Sequence, residues 1–377
     1  MNIKALRSIL GTFLMSSLLL CSCAQNEGEK VVTTGTDTSA GSEKGSAVLL
    51  ISPADGETEV EIANDLIHSF VGEKYTFKAC DKYFDLISDK YMPREIEFSW
   101  DGEGNDFTLF LYAGSTDSVP DVYKADGNSM KISGLMGNTD YFWKVASGQG
   151  ESEVFRFRTA GSPRTVYIDG VTNSRDIGGW KTEDGSRIRQ GIVYRTATVD
   201  KITPDGIDYC RNVLKIRTEL DLRKTNEGKT GVSPLGEDVK YVNISAGCYA
   251  GDLSIFSDEY RDAMRDVLKV FADKENYPIL FHCSAGRDRT GSLAFILEAL
   301  CLVSEDDMCR EYDLSFFSAN GDHEPSLMHT NFFVPTIKGL WSYKGNDYRE
   351  KAESYMLSLG LTADEIDSIR NNLLEKQ

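Results

Sequence analysis

The apolar periodicity of the chain changes at Gly161-Ser162-Pro163, and no other feature constrains the fold as strongly. Ahead of that point, runs at 48–51, 96–100, 107–112, 131–132, 141–146 and 154–158 are short and separated by Gly, Asp and Asn clusters. Ile96, Phe98 and Trp100 alternate with Glu97 and Ser99, the pattern of a strand buried on one face. The spacing predicts a small all-β sandwich over residues 47–161. Beyond it, apolar runs at 166–168, 192–194, 214–222, 239–244 and 278–281 read as strands of a buried sheet. Helical patterns fall at 204–211, 258–274, 290–301, 305–316, 347–359 and 363–375, and Ser304 and Thr362 mark two helix starts by the acidic residues that come after them. Strands interleaved with helices predict an α/β domain over 162–377, a central sheet flanked by helices. A chain of 377 residues is long enough for both domains.

The first residues belong to neither. The apolar run 9–20 follows Lys4 and Arg7 and is too short to span a bilayer, so 1–22 reads as a signal peptide. It ends in Leu20-Cys21-Ser22-Cys23, which resembles a bacterial lipobox and implies cleavage before Cys23 and lipidation of its thiol. Residues 23–46, rich in Ser, Thr, Gly and Glu, cannot bury enough apolar surface to fold and read as a tether. The expected location is therefore the bacterial cell envelope, with the membrane as a partner through the anchor. A net charge of −18 argues against a nucleic-acid partner, which would need clustered Lys and Arg. The remaining cysteines, Cys80, Cys210, Cys248, Cys283, Cys301 and Cys309, show no metal-knuckle spacing. No metal or other cofactor is expected.

One of these cysteines sits in a chemically loaded place. The run 278–281 leads directly into His282-Cys283-Ser284-Ala285-Gly286-Arg287-Asp288-Arg289-Thr290-Gly291, and a helix comes next. Strand, short loop, helix presents backbone N–H groups and a positive helix end to an anion, here through residues 284–289: Ser284, Ala285, Gly286, Arg287, Asp288 and Arg289. The helix end and Arg289 would favour the Cys283 thiolate, a competent nucleophile toward phosphorus. Arg289 can clamp two phosphoryl oxygens, and its effect grows as charge moves onto them. Gly286 permits the tight loop, the Thr290 hydroxyl can bond the sulfur as it leaves, and His282 orients the loop.

This loop resembles that of the cysteine-based protein tyrosine phosphatase superfamily, and more narrowly the bacterial tyrosine/serine phosphatase family with its HC-x-x-G-K-D-R-T-G signature. The resemblance extends through Asn173-Ser174-Arg175-Asp176-Ile177-Gly178-Gly179, Asp184-Gly185 with Arg187 to Gly191, Tyr194-Arg195-Thr196, and Thr218-Glu219-Leu220-Asp221-Leu222-Arg223 with Glu227. It covers about 165 to 376. Two departures stand out: the family's loop Lys is Arg287, and its Asp-Tyr pair is Glu311-Tyr312. The resemblance implies a phosphoric monoester hydrolase acting through a phosphocysteine on phosphotyrosine or phosphoserine/threonine proteins. Phosphoinositides or inositol phosphates are the alternative substrates, since Arg287 could meet extra phosphates. A surface binding lipoprotein with a degenerate phosphatase domain is the reading of another class.

The general acid is left between two residues. The resemblance points to Asp288 in the loop. Asp252, in a Gly-containing stretch 31 residues before Cys283, is the candidate for a separate acid loop. Arg175, Asp176 and Arg195 support the site, while Asp176, Asp221 and Arg223 read chiefly as residues that hold turns. Thr139 to Val145, with Leu135 and Trp100, resembles the tyrosine-corner region of fibronectin III and immunoglobulin-like domains. Its ligand would be a glycan or a protein; a plain spacer is the other reading. His323 and His329 lack a third metal ligand at suitable spacing and are expected on the surface or in a lid.

Overall fold

The structure, a computed structural model, describes residues 48–77, 82, 92–161, 163–227, 231–247, 254–318 and 329–375. The leader with Cys23, the tether, Cys80, Cys248, Asp252 and His323 lie outside them.

Each apolar run of the N-terminal half forms a strand. A three-stranded sheet has the order β1 (Val48–Ser52), β3 (Ile96–Gly102), β6 (Ser129–Ile132). A second sheet runs β2 (Glu57–Val60), β9 (Phe155–Thr159), β7 (Asp140–Ser147), β4 (Asp106–Ala113), β5 (Asp121–Asp126), with β8 (Gly150–Glu151) paired to β7. Phe98, Trp100, Phe107, Leu109, Trp143, Val145 and Phe157, on both sheets, share one core because alternate residues face it. The Met136 N–H donates to the Tyr141 hydroxyl at 2.8 Å, tying the β6–β7 connection to the strand it enters.

The long stretch between β2 and β3 holds a helix that strand periodicity hides. Asn64 caps α1 (Asp65–Gly72), its side chain accepting from the Leu66 and Ile67 N–H groups. Leu66, Ile67, Phe70 and Val71 recur at helical spacing, and this face packs on the core of the C-terminal half. Phe70 meets Phe317 edge-on at 5.1 Å, and the Tyr75 hydroxyl donates to Asp313.

The C-terminal half is built on a five-stranded sheet of order β10 (Arg175–Asp176), β11 (Val193–Thr196), β14 (Ile279–His282), β12 (Thr218–Asp221), β13 (Lys240–Asn243). β11, β14, β12 and β13 run parallel and β10 is an antiparallel edge. β14 is the central strand, so the loop leaving its carboxyl end lies over the middle of the sheet, where open α/β sheets bind ligands. α2 (Arg261–Ala272), α3 (Asp288–Leu300), α4 (Glu305–Asp313), α5 (Val334–Trp341), α6 (Tyr348–Leu359) and α7 (Ala363–Leu373) pack around it. α3 is buried over nearly its whole length, the position of a helix apolar on all sides. Ser304 caps α4, and Thr362 with Glu365 forms a capping box on α7.

Three expectations need correction. The run 166–168 is no strand: Val166 and Ile168 are buried, but the backbone there makes only isolated bridges. The run 214–222 is a strand only from Thr218, because Lys215 takes a left-handed conformation (φ 56°) that no strand continues through. His329 is not at the surface; it is buried, with Nδ1 2.8 Å from the Asp313 carboxylate.

Candidate active site

Cys283 leaves β14 at its carboxyl end and is 3% exposed. The loop after it is held by its carbonyls. The Cys283 carbonyl lies 3.2 Å from His282 Nδ1, and that of Ser284 accepts the Thr198 N–H at 3.1 Å. Those of Ala285 and Gly286 each accept from Asn173 Nδ2 at 3.0 Å, and Gly286 also accepts from Arg195 at 2.6 Å. The Arg287 carbonyl accepts from the Gly291 N–H in the first turn of α3, and from Arg195. In a planar trans peptide the N–H points opposite to the carbonyl. Pinning these oxygens outward therefore turns the N–H groups the other way, and those of Ser284, Ala285 and Gly286 donate to nothing among the described residues. A row of unspent donors running into the N-terminus of α3 is a cradle for an anion.

The turn allows no side chain at 286. Gly286 has φ 67°, and a Cβ there would lie 2.3 Å from the Thr196 carbonyl oxygen, so the loop sits directly on the end of β11.

Arg289 is oriented by Glu227. Its Nη1 and Nη2 donate to the two carboxylate oxygens at 3.0 and 2.8 Å, and Ser284 Oγ donates to the same carboxylate at 3.0 Å. Burial opposes the Glu227 charge, yet the Arg289 contacts hold its carboxyl down at about 2. The planar guanidinium is thus fixed at its end, with its plane set before any ligand arrives.

Asp288 and Arg287 are bound to each other. Arg287 donates to Asp288 from Nε and Nη2, both at 3.2 Å, and its guanidinium lies over the Phe316 ring. The Tyr312 hydroxyl donates to Asp288 at 2.8 Å; burial, then the Asp288 charge, push its phenol well above the ordinary value, so it remains a donor. The Thr290 hydroxyl is buried and has no hydrogen-bond partner among the described residues.

Beneath the loop lies a charge cluster. Glu311 pairs with Arg175 Nε at 2.6 Å and with Arg195 Nη1, all three side chains being at most 2% exposed. Arg175 also donates to Asn173 Oδ1 at 2.6 Å. Burial works against the Glu311 charge, but Arg175 and Arg195 hold its carboxyl below the ordinary value. Glu311 therefore fixes the two guanidiniums that hold the loop, Arg195 directly and Arg175 through Asn173. On the other side His282 Nε2 lies 3.0 Å from Glu219.

The structure thus brings Cys283, Ser284, Ala285, Gly286, Arg287, Asp288, Arg289 and Thr290 together at one strand end, with His282 and Arg195 behind them. Asp176 faces elsewhere: it accepts from the Gly178 and Gly191 N–H groups and pairs with Arg164. Arg223 is spent on Asp200 and Asp221. Sequence reasoning gave no role to Asn173, Glu219, Glu227 or Glu311. The signal available was chemical: Arg175 and Arg195 on strands and Arg289 at the start of α3 each demand a carboxylate.

The model of the tyrosine phosphatase family matches residues 166–375, more than half of the chain, and the chain belongs to that family. A Cupriavidus necator protein provisionally named a tyrosine-protein phosphatase is 26% identical over 170 residues, which are 39% of this chain and 61% of that protein. A tyrosine-protein phosphatase of Nostoc commune is 23% identical over 215 residues, covering 48% of this chain and 73% of the relative. Among solved structures, the core catalytic domain of the PP-IP phosphatase SIW14 from S. cerevisiae in complex with citrate covers 43% of this chain and 93% of its own, at 19% identity and TM-score 0.28. Another Siw14 catalytic core covers 43% and 85%, at 16% identity and TM-score 0.30.

Proposed function

We propose that the chain is a cysteine-dependent phosphatase that hydrolyses phosphate monoesters through a phosphocysteine. The observation that carries this reading is the loop whose carbonyls are all held outward, leaving a row of N–H donors beside Cys283 and an arginine already oriented by Glu227. In the first half-reaction the Cys283 sulfur forms a bond to phosphorus, the ester P–O bond breaks, and an Asp delivers a proton to the leaving oxygen. In the second, water attacks phosphorus, the S–P bond breaks, and the same Asp takes the proton from water. Asp288 is our choice for that Asp, since its Tyr312 hydrogen bond fixes it in the loop; Asp252 is the alternative. The Thr290 hydroxyl, unspent at rest, can donate to the sulfur as it leaves.

Phosphotyrosine or phosphoserine/threonine proteins are the proposed substrates. The inositol-phosphate alternative relies on Arg287, whose guanidinium is paired with Asp288 rather than held open. We further propose, from Leu20-Cys21-Ser22-Cys23, a lipid-anchored protein of the bacterial cell envelope, and from the strand pattern that 47–161 is an immunoglobulin-like or fibronectin III-like module ahead of the phosphatase domain.

The test is phosphate release by the full chain and by Cys283→Ser, with chelator present, on phosphotyrosine peptide, phosphoserine peptide, phosphoinositide and inositol hexakisphosphate. Release that disappears in Cys283→Ser supports the reading and ranks the substrates. No release from any of them by folded, reduced protein would favour the binding-lipoprotein reading.

A further inference from the structure

A cavity of about 420 Å³ lies where the two-sheet half meets the five-stranded sheet, away from Cys283. Tyr123 and Tyr141 enter it from β5 and β7, and Tyr194 and Tyr209 from the other half. Arg164 and Asp121 complete the lining that matters. Its volume is in the range of small-molecule sites.

Arg164 is the built element. It is 7% exposed, donates from Nε to the Gly134 carbonyl at 2.8 Å, and from Nη1 to Asp176 and to the Tyr194 hydroxyl, both at 3.1 Å. Its Nη2 makes no hydrogen bond among the described residues. Burial, then the Asp121 carboxylate, raise the Tyr123 phenol, so it stays an O–H group. The cavity therefore offers flat aromatic faces, phenol hydroxyls that donate and accept, one guanidinium donor, the exposed ammonium groups of Lys131 and Lys215, and one carboxylate acceptor.

That set selects a ligand. A wholly apolar molecule would strand the Arg164 donor. A phosphate dianion would meet a guanidinium already neutralised by Asp176, a Lys131 already paired with Glu95 and the Asp121 carboxylate, with exposed Lys215 the one lining cation left to it among the described residues. A polyhydroxylated ring satisfies every group: its hydroxyls reach Arg164 and Asp121, while its C–H face lies on tyrosine. We infer that the seam between the two halves is a binding site for a sugar or cyclitol ring.

The seam is one rung away from the phosphatase loop. Asp176 and Tyr194 pair across β10 and β11, and the neighbouring pair in the same ladder is Arg175 and Arg195, which anchor the loop at Cys283. Tyr194 thus lines the seam cavity, with Asp176 behind it on Arg164, while the adjacent rung holds the loop.

The test is saturation-transfer NMR and thermal shift on the full chain with methyl glucoside, N-acetylglucosamine, glucuronate and myo-inositol, with inorganic phosphate as the contrast. At least one ring is expected to saturate and to raise Tm, and phosphate, which the cradle takes, to leave that signal unchanged. Asp121→Asn and Tyr123→Ala, both outside the phosphatase loop, are expected to weaken the ring at least about fivefold while phosphate release is kept, and Asp121→Asn also to keep Tm without ligand, whereas Tyr123→Ala, packed on the core of the two-sheet half, lowers it. The inference is overturned if no ring binds at about 100 mM, a hundredfold above a millimolar Kd, if phosphate displaces the ring, or if both variants bind it as the parent does.

Discussion

Replacing Glu311 with Gln removes a charge that Arg175 and Arg195 share. Both guanidiniums are essentially inaccessible, and breaking a buried pair from one side costs about 3–5 kcal/mol. For a domain of this size that is a Tm loss of about 6–20 °C. The neighbouring Glu298 modifies the number. Its two oxygens are buried with no hydrogen-bond partner among the described residues, and burial, then the Glu311 charge, push its carboxyl well above the ordinary range, while Arg195 and Arg175 pull it down. With Glu311 neutral, the second of these two causes is gone and Glu298 is left as the carboxyl beside the same guanidiniums, although burial still opposes its charge. The Glu311→Gln loss therefore falls at the lower end, and Glu298→Met with Glu311→Gln costs more than the two single changes together, by about 1–3 kcal/mol. Glu298→Met alone stabilises, since it removes an unsatisfied acid. The folded state keeps a proton on Glu298 that the unfolded chain has released, so the contribution of Glu298 to stability falls as pH rises above the ordinary carboxyl value, and the gain from Met widens from acid to neutral pH. Glu311 has the opposite sign: its contribution is present above the ordinary value and is lost as pH falls below it. Urea unfolding of the four proteins at two pH values measures all of this. A Glu311→Gln loss under about 1 kcal/mol, or additivity within about 0.5 kcal/mol, would refute the reasoning.

Three further outcomes concern the loop. Glu227→Gln keeps the fold but frees Arg289 to rotate, lowering kcat by up to about 100-fold with a smaller change in KM; unchanged kcat would mean that Glu227 does not orient the arginine. Because the Glu227 carboxyl is held down at about 2, its grip on Arg289 is complete above its ordinary value and is lost only as pH falls toward about 2, so no acid limb between pH 5 and 7 belongs to it. Arg289→Lys keeps the charge and loses the fork, and steady-state assay is expected to show a loss of about 100-fold or more; a loss under tenfold contradicts the clamp. Gly286→Ala brings a Cβ against the Thr196 carbonyl, so unfolding experiments are expected to find at least about 1 kcal/mol lost together with activity, and wild-type stability would contradict the close approach.

The loop after Cys283 was legible because it is one continuous segment: strand, Cys283, Gly286, Arg289 and helix succeed each other within a few residues, and local spacing is what a sequence displays. Glu227 and Glu219 meet Arg289 and His282 from 62 and 63 positions away, and Glu311 acts on the loop through Arg195 and Arg175, 116 and 136 positions before it, so only the sheet order brings them together. The core strands of the N-terminal half were legible by alternation. Helix α1 was not, since its eight residues carry too few turns to stand out and its apolar face answers to the other half of the chain. Helix α5 was hidden by Pro335, which sits at its first turn, where a missing N–H costs nothing. Conversely, 166–168 looked like a strand because burial, not pairing, selects its apolar residues.

Acid-quenched mass spectrometry during turnover of a phosphate monoester tests the central claim most directly. The account predicts one phosphoryl group on the peptide that carries Cys283, and neither adduct nor phosphate release in Cys283→Ser. Undiminished phosphate release by Cys283→Ser, or a phosphoryl group on any other residue, would contradict it.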